Sequence, residues 1–312
     1  MGVTQKGEKM ISKNLYSEID TACFKIKTFK AEHLKEISAD FKILVKKGLL
    51  NEEFYKSNLT DFNYDYESIL SNGKSVMVIA SPQCRSIAEF KYAGKKITAV
   101  IPPTYIYPSI NSRITKILNN VLVEKGYSFA KPNLPLKLLA VRSGLGKYGR
   151  NNVCYIPKLG SFFRLSAYIT DYEFEEDSWG DIKVMESCSS CSACIDNCPT
   201  GAIDIGRFLI HAQNCITHFN EYDTQIPEWV GPDSHNSIVG CMKCQAVCPH
   251  NKELIDFVDE RICFSEKETK MILDGNTLDN LPLETRNKIS FIGMEPYLCV
   301  LPRNIHLIMD KI

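Results

Sequence analysis

No stretch of this chain approaches the roughly 18 consecutive apolar residues that a membrane-crossing helix requires. The first 30 residues are rich in lysine and lack the apolar core of a secretion signal. Charge of one sign is missing too: 37 basic side chains meet 37 acidic ones, for a net charge of zero. A global basic field, the usual footprint of nucleic-acid binding, is therefore excluded, although a local patch is not. Internal repeats and low-complexity tracts are also absent. What is left is a folded globular chain. Its 312 residues, 44% apolar and 24% charged, are enough for one large domain or two ordinary ones. These absences predict a cytoplasmic protein with no membrane partner.

Cysteine, by contrast, is abundant. There are 13, and eight of them fall between positions 188 and 248. The first run reads Cys188-Ser-Ser-Cys191-Ser-Ala-Cys194-Ile-Asp-Asn-Cys198-Pro199, and it is answered by Gly240-Cys241-Met-Lys-Cys244-Gln-Ala-Val-Cys248-Pro249, with Cys215 between them. The first is the C-x2-C-x2-C-x3-C-P spacing of bacterial ferredoxins, in which three thiolates hold one cubane and the fourth reaches its neighbour. Two-residue gaps wrap the backbone around a cube, and proline, with no N–H and a fixed φ, ends the wrap. The spacing therefore predicts two [4Fe–4S] clusters. Zinc is the competing reading, because paired C-x2-C units also make zinc ribbons. Four zinc ligands in two pairs, however, require neither a third cysteine at x2 nor a Cys-Pro at x3. A disulfide framework fits less well in a chain of this length. Cys23, Cys84, Cys154, Cys263 and Cys299 lack ligand spacing and read as small buried hydrophobes.

Along the chain, residues 1–30 read as an irregular or partly helical lead-in. Leu34, Ile37, Phe41 and Leu44 recur at helical spacing before Gly48, and Ile114, Ile117, Leu118, Val121 and Leu122 do so before Gly126. Residues 136–142 form a shorter helical candidate. Ser75–Ala80 and Ile97–Ile101 are strand-like, as is Phe162–Thr170, where Phe163, Leu165, Ala167 and Ile169 alternate onto one face. The expected fold is α+β: an N-terminal α/β sandwich over 1–170, a double-cluster ferredoxin-like domain over 171–252, and a helical C-terminal segment over 253–312. Residues 171–181 carry six acidic residues and no basic one, which reads as a solvated linker.

Gly144-Leu-Gly146-Lys-Tyr-Gly149 satisfies G-x-G-x-x-G, but a dinucleotide fingerprint must open a helix of ten or more residues. The residues that follow are strand-like and broken by Pro157, so a Rossmann site is not expected. The glycines admit either a flat cofactor or tight packing.

Together, Gly73–Ala80, Ser143–Arg150, Gly160–Phe163 continuing to Asp171, Asn214–Glu221 and both cysteine runs resemble the epoxyqueuosine reductase family and, more distantly, reductive dehalogenases. The likeness covers about residues 70–252. It implies that Cys188, Cys191, Cys194 and Cys248 bind one cluster and that Cys198, Cys215, Cys241 and Cys244 bind the other. It also implies a cobalamin held in the sandwich, with Ser143, Gly144, Leu145, Gly146, Lys147, Tyr148, Gly149 and Arg150 against the corrin ring. Electrons would come from a carrier such as ferredoxin or flavodoxin. The family's proton-donating Asp has no counterpart: Pro132 stands at its place and cannot donate a proton. Tyr105, Tyr107 and Lys131 are the substitute candidates, and His211 and His218 could tune a cluster by hydrogen bonds to sulfur. A cobalamin-linked reductase of a different substrate is therefore expected, and tRNA is not an expected partner. Three alternatives remain open: an electron-transfer protein serving a partner's corrinoid or redox centre, a true tRNA epoxyqueuosine reductase with a substitute acid, and a structural zinc protein.

Overall fold

The computed structural model describes residues 2–106 and 108–309. Nine strands are described: β1 (Lys25–Lys30), β2 (Ser75–Pro82), β3 (Arg85–Tyr92), β4 (Lys95–Ile101), β5 (Phe129–Ala130), β6 (Lys147–Tyr148), β7 (Cys154–Tyr155), β8 (Phe163–Thr170) and β9 (Val258–Phe264). The first six helices are α1 (Gly2–Thr21), α2 (Leu34–Lys46), α3 (Glu52–Asn58), α4 (Tyr66–Ile69), α5 (Pro108–Val121) and α6 (Leu136–Arg142). The other six are α7 (Ala193–Asp196), α8 (Ile216–Glu221), α9 (Lys243–Ala246), α10 (Glu266–Leu273), α11 (Leu283–Phe291) and α12 (Leu301–Met309). The architecture is the expected mixed α+β, and no described helix is long and apolar enough to cross a membrane.

The main sheet has the order β1-β2-β8-β5 with antiparallel neighbours. Alternation sends Val76, Val78 and Ala80 of β2 to one face, with Phe163, Leu165, Ala167 and Ile169 of β8, where they meet residues of α2 and α6. Met77 and Ile79, with Tyr168, face the other way onto α1 and α5. A sheet covered on both faces explains why β2 reads as an unbroken apolar run. The lead-in proves more ordered than its sequence suggests. Ile11, Leu15 and Ile19 form a narrow i, i+4, i+8 stripe on α1 that seats on this second face.

A smaller sheet, β4-β3-β9, pairs the β3–β4 hairpin with a parallel strand from the C-terminal segment. That segment is mainly helical, and it builds a separate core in which Ile289, Leu301 and Ile305 pack on Phe90, Ile97 and Ile101. The acidic stretch 171–181 is docked rather than free. Glu176 pairs with Lys27, Asp177 meets His33, and Trp179 stacks on the His33 ring while donating to Glu36. The alternation of β1 and the polar face of α2 supply the partners that turn this run of charge into a strap.

Candidate functional site

The cysteine segment contains no long element. Each run forms one short turn of helix, α7 or α9, and each turn ends at a Cys-Pro. The eight thiols fall into groups. Cys194 is pushed above the ordinary thiol range by burial and by its neighbours Cys188, Cys191 and Cys248. Cys241 is pushed up to about 12, chiefly by burial, with the charges of Cys215 and Cys198 adding to it. Cys244 is raised the same way, with Cys241 and Cys215 beside it and Cys194 more weakly felt. Buried, crowded thiols resist ionisation, and a bound metal reverses that by deprotonating its ligands outright. Among the described residues, no three His, Cys, Asp or Glu side chains are gathered to hold a single metal ion. A four-iron cube needs a wider arrangement than a single ion, with one thiolate to each iron.

A half-open cavity of about 510 Å³ lies between this segment and the sandwich. Its size falls within the ~300–1,000 Å³ typical of small-molecule sites. Cys198, Cys215, Cys241 and Cys244 line it, and none of Cys188, Cys191, Cys194 and Cys248 does. Pro102, Pro103, Leu136, Phe163 and Leu165 contribute apolar lining from outside the cysteine segment. Lys137, Arg164, His218 and Glu221 add polar groups. The Nδ1 of His218 is buried without a hydrogen-bond partner, and burial holds the His218 pKa below its usual value.

Of the proton-donor candidates, Tyr105 lines the cavity and donates its hydroxyl hydrogen to Glu221. Burial, reinforced by the Glu221 charge, raises its pKa well above the phenol range. Lys131 is exposed and does not reach the lining; partial desolvation of its ammonium and the nearby Arg164 lower its pKa. Tyr107 lies outside the described residues.

None of Ser143–Arg150 lines the cavity, although Asn151, Val153 and Cys154 just after the stretch do. A Cβ at Gly146 would come within 2.6 Å of Cys154 Sγ, and one at Gly149 within 2.6 Å of the Tyr155 ring. Close backbone approach inside the β6–β7 hairpin thus requires both glycines. The outward side of this stretch grips the start of the cysteine segment. Arg150 donates to the Cys188 carbonyl, Tyr148 N–H to the Lys183 carbonyl, and Met185 N–H to the Tyr148 carbonyl. Gly160, at φ +53°, makes the corresponding join at the far end, because a Cβ there would meet Asn251 Oδ1 at 2.3 Å. That oxygen accepts from Ser161 N–H at 2.9 Å.

Glu221 and Lys137 were not found by sequence reasoning. Both sit on short helices, and neither belongs to a spacing pattern of its own. The available signal was that Glu221 shares one face of α8 with Thr217 and His218, just after the isolated Cys215.

Comparison with known proteins bears on the same segment. Residues 187–251 match the family described as a 4Fe-4S double cluster binding domain. The epoxyqueuosine reductase of Pseudomonas aeruginosa is 38% identical over 117 residues, 37% of this chain and 31% of that protein. That of Shewanella oneidensis is 34% identical over 154 residues, 46% of this chain and 38% of that protein. The chain thus spans only about a third of the length of these relatives. Among solved structures, epoxyqueuosine reductase from Streptococcus thermophilus superposes with a TM-score of 0.63 at 19% identity, covering all of this chain and 82% of that one. Epoxyqueuosine reductase with a tRNA-Tyr epoxyqueuosine-modified stem loop gives 0.67 at 20% identity, covering 97% and 81%. At such identities the likeness is one of fold. The chain is similar in sequence to these reductases over part of its length and shares their fold.

Proposed function

We propose that this chain is an iron–sulfur reductase in which single electrons pass from a carrier of the ferredoxin or flavodoxin class through two [4Fe–4S] clusters into the 510 Å³ cavity. One observation carries the reading: the four cysteines of one implied ligand set all line the cavity, and the other four do not. The Cys188, Cys191, Cys194 and Cys248 cluster would then be the receiving one, and the Cys198, Cys215, Cys241 and Cys244 cluster the delivering one. The exchange of the fourth cysteine between runs keeps the two cubes adjacent. The domain boundaries near 170 and 252 are part of this reading.

The cavity's occupant is proposed to be a cobalamin, whose cobalt would supply two-electron reducing power that a cluster alone does not. The lining fits a broad, flat group: apolar residues share it with polar ones, an unpartnered imidazole nitrogen is buried among them, and the open side leaves room for bulk beyond the cavity. Within this reading, Pro102, Pro103, Phe163 and Leu165 exclude water from one face, and Lys137 and Arg164 neutralise negative charge that develops inside. The stretch Ser143–Arg150 packs against Cys154 of the lining and ties it to Cys188. Pro132 in place of an acid supports a substrate other than epoxyqueuosine. Anaerobic reconstitution should give about eight irons and eight sulfides per chain, and added cobalamin should yield a protein-bound cob(II)alamin signal. Full iron loading without corrinoid binding would favour the electron-transfer alternative. A colourless chain holding stoichiometric zinc would reject clusters altogether.

A further inference from the structure

We propose that Glu221 is the proton donor of this cavity, the role for which sequence suggested Tyr105, Tyr107 or Lys131; the inference rests on the reductase reading above. Glu221 is the one carboxyl group among the described residues lining the cavity, which it shares with all four thiols of the delivering set. It closes α8, the helix that starts immediately after Cys215. Its carboxylate oxygen accepts the hydroxyl hydrogen of Tyr105, and that ring is 7% exposed. Tyr105 is in turn immobilised against Gly240, where an added Cβ would lie 2.5 Å from the hydroxyl oxygen.

The backbone on either side is fixed from the C-terminal segment. Asn304 Nδ2 donates to the Asn220 carbonyl at 2.9 Å and to the Ile238 carbonyl at 2.8 Å. Arg303 Nη2 donates to the Phe219 carbonyl at 2.6 Å and the Tyr222 carbonyl at 3.1 Å. Asn220 Nδ2 completes the frame on the Gly240 carbonyl at 2.9 Å. Catalytic acids need this kind of support, because a loosely held carboxyl cannot keep a reacting atom within hydrogen-bond reach.

The charged and titratable groups acting on Glu221 are Tyr105 from the 103–105 turn, Lys137 from α6 and Tyr222 just past α8, and His218 shares the cavity lining with it. Burial raises the Glu221 carboxyl above the ordinary range, and the Tyr105 hydrogen bond and the Lys137 charge offset this only in part. The acid therefore keeps its proton to higher pH than a surface carboxyl would. The step balances simply: a cavity ligand takes one electron from the delivering cluster and one proton from Glu221, leaving the ligand reduced and protonated and Glu221 as carboxylate. The Tyr105 hydroxyl stabilises that carboxylate. Water from the open side reprotonates it, and the external one-electron carrier restores the cluster.

The test uses the full chain with reconstituted clusters. In pH-difference infrared spectra, the wild type should show a protonated-carboxyl band persisting above the ordinary carboxylate range, absent in Glu221→Gln. Tyr105→Phe should move that band's titration to higher pH, because it removes an interaction that favours the anion. In time-resolved infrared spectra during reduction of added cobalamin in the cavity, that band should bleach in the wild type as Glu221 gives up its proton; a purely structural Glu221 would keep it. A band unchanged in Glu221→Gln, no such band in the wild type, or a wild-type band that persists while the bound cobalamin is reduced would overturn the proposal. If the chain binds no corrinoid, the reductase reading fails while the Glu221 band remains, so the two failures are distinguishable.

Discussion

The sandwich and the cysteine segment are held together by different physics. The sandwich buries both faces of an eight-residue strand pair, β2 and β8, and packs whole helices on each side. The cysteine segment has two four-residue helices and the six-residue α8, and its own apolar cluster is Ile216, Phe219 and Val230. Burying a large apolar side chain contributes about 1.5–3 kcal/mol, so three such residues cannot offset the ordering of some sixty. The segment needs cluster binding, together with contacts to its neighbours, to stay folded.

The largest test of this contrast is iron removal. Stripping the clusters by oxidation and chelation should bring amides of residues 187–251 to near-unprotected hydrogen exchange while β2 and β8 stay protected. Equal loss in both regions would show that they are not energetically separate. Single-ligand changes sharpen the same point. Cys194→Ala and Cys244→Ala should each reduce iron from about eight to about four per chain, measured by iron analysis after anaerobic reconstitution. Cys244→Ala alone should disturb the spectrum of a ligand bound in the cavity.

A core change should do the reverse. Leu139 is fully buried on the helix face of the sheet, and Leu139→Ala should cost about 2–5 kcal/mol in denaturant unfolding with iron content unchanged. Between the two regions, Asn304→Ala leaves the Asn220 and Ile238 carbonyls unpaired in a buried place, at a cost of about 1–3 kcal/mol. The smallest effect concerns the acidic strap. Burial alone would lower the His33 pKa, but hydrogen bonds and charge from Glu36 and Asp177 outweigh it and raise the value above 6.5. A raised histidine stabilises fully below its unfolded value, near 6.5, and loses that contribution as pH rises through the folded one. The difference in thermal unfolding between wild type and His33→Ala should therefore be largest at pH 6 and shrink as pH rises through the folded value, its pH-dependent part being less than about 1 kcal/mol given solvent screening.

Legibility in sequence followed the same division. Helices with wide apolar stripes were readable: α5 and α6 fall where Leu118, Val121 and Leu139 place them, and β8 presents the alternating face expected of it. β3 was missed because Arg85, Glu89 and Lys91 interrupt its apolar pattern, and β9 because Asp259, Glu260 and Arg261 do the same at the sheet's edge. In the site, covalent spacing made the cysteines legible, since the ligand geometry of a cubane is written into short gaps. Glu221 and Lys137 were not, because a cavity wall is assembled from elements far apart in sequence and no local pattern marks its polar members. The glycine stretch shows the opposite difficulty: the motif was visible, but only packing shows that Gly146 and Gly149 make room for Cys154 and Tyr155.

The Asn304 clamp has a kinetic consequence. It closes a loop of 84 residues that starts at Asn220, beside Glu221 at the end of α8. Contacts of such separation form late, because chain entropy must be lost before they return any stabilisation. The α8 end of the cavity should therefore stay loose while the local cysteine turns are already shaped. That leaves a stage in folding when iron and sulfide can reach the thiols before the acid above them is locked down.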